Sequence, residues 1–301
     1  MELFSHPGNP APEGGVVSTV VTVDGVRLRA AVWRRPGHAR GTVCLFQGRA
    51  EAIEKYYEVV SELLSRGFAV ATLDWRGQGG SERRLANPAK GHVDDFGEYD
   101  RDLEAFMRQV ALPDCPPPFY ALAHSTGGLV CLRAAARSRL VFERMVTTAP
   151  LLGLGPANPP TAFVRRAATA LTILGLGDRT PVVGRLAQLE LRGFESNPLT
   201  GDERRFERTL ETLRLAPWLA VGPPTVGWLR AACRAMLLAE APEFAAEIKV
   251  PVLIVAAGED RVVSNRLIER FGREVRIGRE VTIPGSRHEI LMERDRVRNL
   301  F

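Results

Sequence analysis

A serine hydroxyl is a poor nucleophile at neutral pH until a base accepts its proton, so a serine on an exposed turn implies a histidine and a carboxylate elsewhere. Ala123-His124-Ser125-Thr126-Gly127 offers such a turn, after a strand-like apolar run (119–123) and before a helix-like one (127–139). This context lifts Oγ above a sheet edge and aims the next peptide N–H at the substrate oxygen. The plainer reading of Ser125 is a helix cap. The chain has five histidines, His6, His38, His92, His124 and His288. His6 and His38 fall in a tail and a turn, and His124 adjoins the serine, so its ring is turned from Oγ. His288, in Pro284-Gly285-Ser286-Arg287-His288-Glu289, is the expected base, with His92 in Gly91-His92-Val93 as competitor. Asp260, in Gly258-Glu259-Asp260-Arg261, is the expected carboxylate that fixes the imidazole tautomer. Glu259 competes beside it, and a plain helix N-cap is the alternative. A tetrahedral oxyanion needs two donors. These are expected at the backbone N–H of Thr126 and of Arg49 in Gln47-Gly48-Arg49, with Gly48 in reserve.

The elements that must hold these residues alternate along the chain. β-branched runs at 16–23 and 26–33 flank Asp24-Gly25, a hairpin signal. Strand-like runs at 41–46, 67–73, 119–123 and 144–148 then alternate with helical patterns at 52–66, 95–110 and 127–139. Such alternation predicts a mostly parallel, doubly wound α/β sheet, whose sites lie at the carboxyl edge of the strands. The alternation stops at Leu151 and resumes with the apolar run 250–255. Residues 151–245 read as an inserted helical lid, with helices at 162–175, 183–191, 202–215 and 225–239, while 1–150 and 246–301 form the core. A helix at 268–273, a strand at 280–283 and a short helix from His288 onward complete the expectation. That last helix is short enough to suggest a truncated chain.

Composition narrows the partners. Of 301 residues, 45% are hydrophobic and 25% charged, which excludes disorder, collagen and coiled coil. The net charge is +5, and Lys55, Lys90 and Lys249 are the only lysines, so the basic residues are almost all arginine. They are scattered among Asp and Glu, without the basic run a nucleic-acid groove requires. Cys44, Cys115, Cys131 and Cys233 show no C-x-x-C spacing and read as reduced core thiols, pointing to the cytoplasm. No metal or cofactor site is expected, since no paired His/Cys cluster exists. No apolar stretch is long enough to span a membrane, and the first residues lack an export-signal pattern.

The chain carries Gly48-Arg49-Ala50-Glu51 with Lys55-Tyr56, Asp74-Trp75-Arg76-Gly77-Gln78-Gly79 with Ser81, and Gly91-His92-Val93 with Phe96, Tyr99 and Asp102-Leu103. The Ser125 turn, Gly258-Glu259-Asp260 and Ser286-Arg287-His288-Glu289 complete the core set. The lid adds Asn197-Pro198-Leu199-Thr200 and Pro224-Thr225-Val226-Gly227-Trp228. Together these motifs resemble the α/β-hydrolase-fold group of bacterial lysophospholipases and monoacylglycerol lipases. The chain order Ser125, Asp260, His288 is that of α/β-hydrolases. Two departures stand out: Gln47 replaces the His usual before Gly in monoacylglycerol lipases, leaning toward the lysophospholipase branch, and Ala123 replaces the first Gly of G-x-S-x-G. The resemblance implies hydrolysis of a single-acyl-chain ester through an acyl-enzyme on Ser125. Gly48, His124, Trp218 and Trp228 are expected around the substrate. The apolar lid segment 167–176 could line an acyl tunnel or touch the inner membrane peripherally, or simply bury its face on the core. The alternatives are a small-ester carboxylesterase, a proline iminopeptidase-like peptidase, and a hydrolase-fold ligand receptor with little turnover.

Overall fold

The computed structural model describes residues 2–34, 37, 39–137, 142–181 and 193–300. Eight strands make one sheet in the order β1-β2-β4-β3-β5-β6-β7-β8. They are β1 Gly15–Val21, β2 Arg27–Trp33, β3 Thr42–Phe46, β4 Ala69–Leu73, β5 Phe119–His124, β6 Phe142–Thr148, β7 Val252–Ala257 and β8 Gly278–Ile283. β1 pairs antiparallel with β2, and β2 antiparallel with β4; every pairing from β4 through β8 is parallel. The hairpin turn closes around Gly25 at φ 82°, while the Thr22 hydroxyl donates to Asp24, so β1 stops at Val21 instead of running to Val23.

Both faces of the sheet are covered, which is why β3 and β4 are buried along their whole length. The pleat sorts side chains by alternation: Val43 and Leu45 join one core with Trp33, Tyr57 and Val70, whereas Cys44 and Phe46 join the other with Trp75, Phe106 and Leu129. The helices α1 Tyr57–Ser65, α2 Gly97–Phe106, α3 Leu112–Asp114 and α4 Ser125–Ala136 belong to the first half of the chain. Between β6 and β7 come α5 Thr161–Ile173, α6 Glu203–Leu215, α7 Val226–Ala239 and α8 Pro242–Ala246; α9 Asn265–Glu274 and α10 Asp295–Arg298 follow. The helix expected at 183–191 lies outside the described residues.

Within the insertion, Trp228, Ala231, Cys233 and Met236 of α7 belong to the same hydrophobic cluster as Phe46 and Ile254. By contrast α5, which packs on α7, buries only Ala168. One expectation needs correction: no helix starts at His288. A 3-10 turn, Ile290–Met292, comes first, and α10 spans four residues. Three adjacent apolar side chains all need burial there, which a helix with one inward face could not provide.

Candidate active site

β5 runs directly into α4, and Ser125 at the junction has φ 49°, in the left-handed region that costs a non-glycine residue about 1–3 kcal/mol. The strain is held by close packing. A Cβ at Gly127 would lie 2.6 Å from the Gln47 carbonyl oxygen and 2.7 Å from that of Phe46, so only glycine lets α4 approach the end of β3. Ala123 departs from the usual glycine without strain. It is an ordinary ladder residue, fully buried between Phe46 and Thr147, and a small side chain is enough there.

His288 Nε2 lies 3.0 Å from Ser125 Oγ, and His288 Nδ1 lies 2.8 Å from Asp260 Oδ2. Thus Ser125 is bonded through its side chain to the imidazole instead of capping α4. Asp260 divides its oxygens: Oδ1 accepts from the peptide N–H groups of Val262 (2.7 Å) and Val263 (3.0 Å), leaving Oδ2 for the imidazole. The cap of α9 is Ser264, not Asp260. Burial opposes the Asp260 charge, but the His288 cation and the two peptide donors hold its carboxyl below the ordinary range. Burial likewise opposes the imidazolium, yet the adjacent Asp260 carboxylate outweighs it and raises His288 above its ordinary 6.5. Ser286 joins the two loops, its hydroxyl donating to Ile283 (2.7 Å) and accepting from the Gly258 N–H (3.2 Å).

The turn after β3 lies against the first turn of α4, where Thr126 sits at the electropositive helix end. Its Ala50 has φ 62°, and the Ala50 N–H donates to Gln78 Oε1 at 3.2 Å. Gln78 Nε2 in turn donates to the carbonyls of Gly48 (2.8 Å) and Glu51 (3.1 Å). The Gly48 N–H is bound by the Glu51 carboxylate, which removes Gly48 as a reserve oxyanion donor. The Arg49 guanidinium donates to the Gly222 carbonyl at 2.7 Å and lies 5.1 Å above the Trp228 ring, tying this turn to α7. Gln47 donates through Nε2 to the Leu73 carbonyl (2.6 Å) and Asp74 Oδ1 (2.8 Å), joining the ends of β3 and β4.

The remaining candidates are dispersed. His92 is bonded to the Thr225 hydroxyl at 2.8 Å and to Asp94 at 3.1 Å, fastening a core loop to the cap of α7; it has no contact with Ser125. His6 meets Thr212, and His38 lies outside the described residues. Glu259 and Arg261 face a cavity of about 600 Å³ that Asp260 borders, and it is Asp260 whose carboxylate takes the imidazole. His124 does pack beside the relay, its ring 4.8 Å from that of His288 and its Nδ1 3.1 Å from the Thr148 carbonyl. Burial drives its pKa down to about 4 and keeps it neutral. Trp228 is buried, donating to the Tyr99 hydroxyl at 2.9 Å. Trp218, expected to share a cavity wall with it, is 59% exposed and rests edge-on against Phe4. No sequence signal announced that the N-terminal segment would provide that neighbour. Gln78 and Ser286 were named only inside motifs, and their roles depend on loops that meet in space. Among the described residues, no group of His, Cys, Asp and Glu is placed to hold a metal ion.

Residues 37–295 match the family described as serine aminopeptidase, S33. The chain belongs to this family. Lysophospholipase L2 of Escherichia coli strain K12 is 35% identical over 295 residues, covering 92% of this chain and 82% of that protein. A rat monoglyceride lipase is 28% identical over 146 residues, covering 48% of this chain and 46% of its own. The crystal structure of Paleococcus ferrophilus monoacylglycerol lipase superposes with a TM-score of 0.72 at 22% identity, over 91% of this chain and 95% of that one. The family fold is therefore the α/β-hydrolase fold.

Proposed function

We propose that the protein hydrolyses the carboxylic ester of a single-acyl-chain lipid, a lysophospholipid or a monoacylglycerol, through an acyl-enzyme on Ser125. The observation that carries this reading is the unbroken Ser125–His288–Asp260 relay beside a helix N-terminus. His288 takes the Ser125 proton as Oγ attacks the ester carbonyl, and Asp260 stabilises the imidazolium. The backbone N–H groups of Thr126 and Arg49 receive the oxyanion. His288 returns the proton to the departing alcohol, and water then repeats the sequence on the acyl-enzyme. The extent of similarity to lysophospholipase L2, against half-chain similarity to the monoglyceride lipase, favours a lysophospholipid.

The helical insertion acts as the lid over the acyl chain. On α5 and just beyond it, Phe163, Ile173 and Leu174 are more than 60% exposed, and Arg166 is exposed beside them, a combination suited to peripheral contact with an anionic membrane. Replacing Ile173 and Leu174 with aspartate should abolish co-sedimentation with phosphatidylglycerol vesicles while leaving hydrolysis of a water-soluble ester intact.

The deciding experiment compares lysophosphatidylethanolamine, monoolein and an aminoacyl p-nitroanilide, with products identified by mass spectrometry. The anilide serves as the second reading, which the family's description favours. Ester cleavage is expected to fall at least about a thousandfold in Ser125→Ala. Undiminished hydrolysis by that variant, or cleavage of the anilide alone, would sink the proposal.

A further inference from the structure

Behind the relay lies a buried ionic bridge that the hydrolytic chemistry does not itself use. Lys55 Nζ lies 2.7 Å from Glu51 Oε1 and 2.5 Å from Glu289 Oε1, and all three side chains are at least nine-tenths buried. Glu51 binds the Gly48 N–H and accepts the Tyr56 hydroxyl at 2.8 Å, so it grips the turn that carries Arg49. Glu289 is the residue after His288, and its own N–H donates to the Leu199 carbonyl of the insertion at 2.7 Å. His124 closes the arrangement, its Nε2 4.0 Å from Glu51 and its ring against that of His288.

Charges buried this deeply are expensive, and an apolar set of similar volume would often fold as well or better. What the ionic set adds is geometry. The turn at 48–51 and the loop at 286–289 are separated by most of the chain, and neither shares a ladder hydrogen bond with the other. An ammonium held between one carboxylate from each fixes both at once. Glu51, gripped by Lys55, Tyr56 and the Gly48 N–H, stays ionised with its pKa lowered to about 2 despite its burial; burial pushes Glu289 the other way.

We propose that Lys55 is a positioning residue for the reaction: by bridging Glu51 and Glu289 it sets the oxyanion-binding turn and His288 at a fixed separation around Ser125. The inference rests on the hydrolytic reading above. Donor and base must both meet one reacting carbonyl, and a misplacement of about 1 Å costs on the order of a hundredfold.

Phosphonylation of Ser125 by a fluorophosphonate tests this without any natural substrate. It requires the same base and the same oxyanion donors. Its plateau counts competent molecules, its limiting rate reads positioning, and its half-saturation reads binding. In Lys55→Met the limiting rate should fall at least about tenfold, with an unchanged plateau and half-saturation within about twofold. Glu289→Gln, which keeps the Lys55–Glu51 pair and the local volume, should lower the same rate several-fold and decides the matter if Lys55→Met does not fold. A limiting rate within twofold of the parent, in whichever variant folds, overturns the proposal. A merely structural role would lower the plateau and leave the rate. Failure of the parent itself to label would instead overturn the hydrolytic reading.

Discussion

At the scale of single residues, the proposed mechanism makes the reaction depend on one proton. His288 must be neutral to accept from Ser125, and its pKa is raised above 6.5 because Asp260 outweighs burial. Activity is therefore lost as pH falls through that raised value, and kcat/KM for a water-soluble ester should show an acid limb centred above 6.5. Asp260→Asn removes the charge that raises it and misdirects the tautomer. The expected loss in kcat is on the order of 10³–10⁴-fold, with the remaining acid limb displaced downward, as a pH-rate series would show. Ser125, Asp260 and His288 could be chosen from the sequence because few histidines exist and each of the three follows a strand-like run. Lys55 and Glu289 stood only inside motifs, because their pairing joins segments far apart along the chain and leaves no periodic trace. Trp218 was misplaced for a related reason: its aromatic character says that it wants a partner, not that the partner is Phe4.

At the scale of elements, the nucleophile turn is held by what cannot be added to it. In Gly127→Ala the new methyl would meet two carbonyl oxygens at under 3 Å, and neither can withdraw without disturbing the end of β3. The variant should lose about 1–3 kcal/mol of stability in urea titration, and its residual activity should fall because the same shift moves the turn at 48–51. Strands β3 and β7 were legible from continuous apolar runs, β4 to β6 from shorter strand-like ones, β6 only from Arg144 onward, and the hairpin from Asp24-Gly25. The ends were less so. The apolar triplet Ile290, Leu291 and Met292 gives no helical period, and Glu293, reaching back to the N–H groups of Arg287 and Gly201, turns the chain into a 3-10 bend instead.

At the scale of the whole molecule, the insertion is fastened to the core by charge. Arg205 of α6 is fully buried among Glu58 of α1, Asp202 and Asp295, with a further bond to the Glu293 carbonyl at 2.7 Å. Arg205→Leu removes these bonds, though Glu58 keeps Arg208 and Asp295 stays solvated, and should cost about 1–3 kcal/mol, read as a lowered urea midpoint together with faster proteolysis near α6. The break of strand–helix alternation after Leu151 falls where α5 to α8 come between β6 and β7, but the entry of α7 into the common core was not legible, since an inward apolar face does not say what it faces.

The stretch Asn197–Thr200 has a more particular attachment. Its backbone carbonyls take the Arg287 guanidinium at 2.8 and 2.9 Å and the Glu289 N–H, on both sides of His288. Peeling this flank away to admit a fatty chain would drag the base off the nucleophile. The edge at 197–200 is therefore the fixed jamb of the door, and a molecule forced open there would be an inert one.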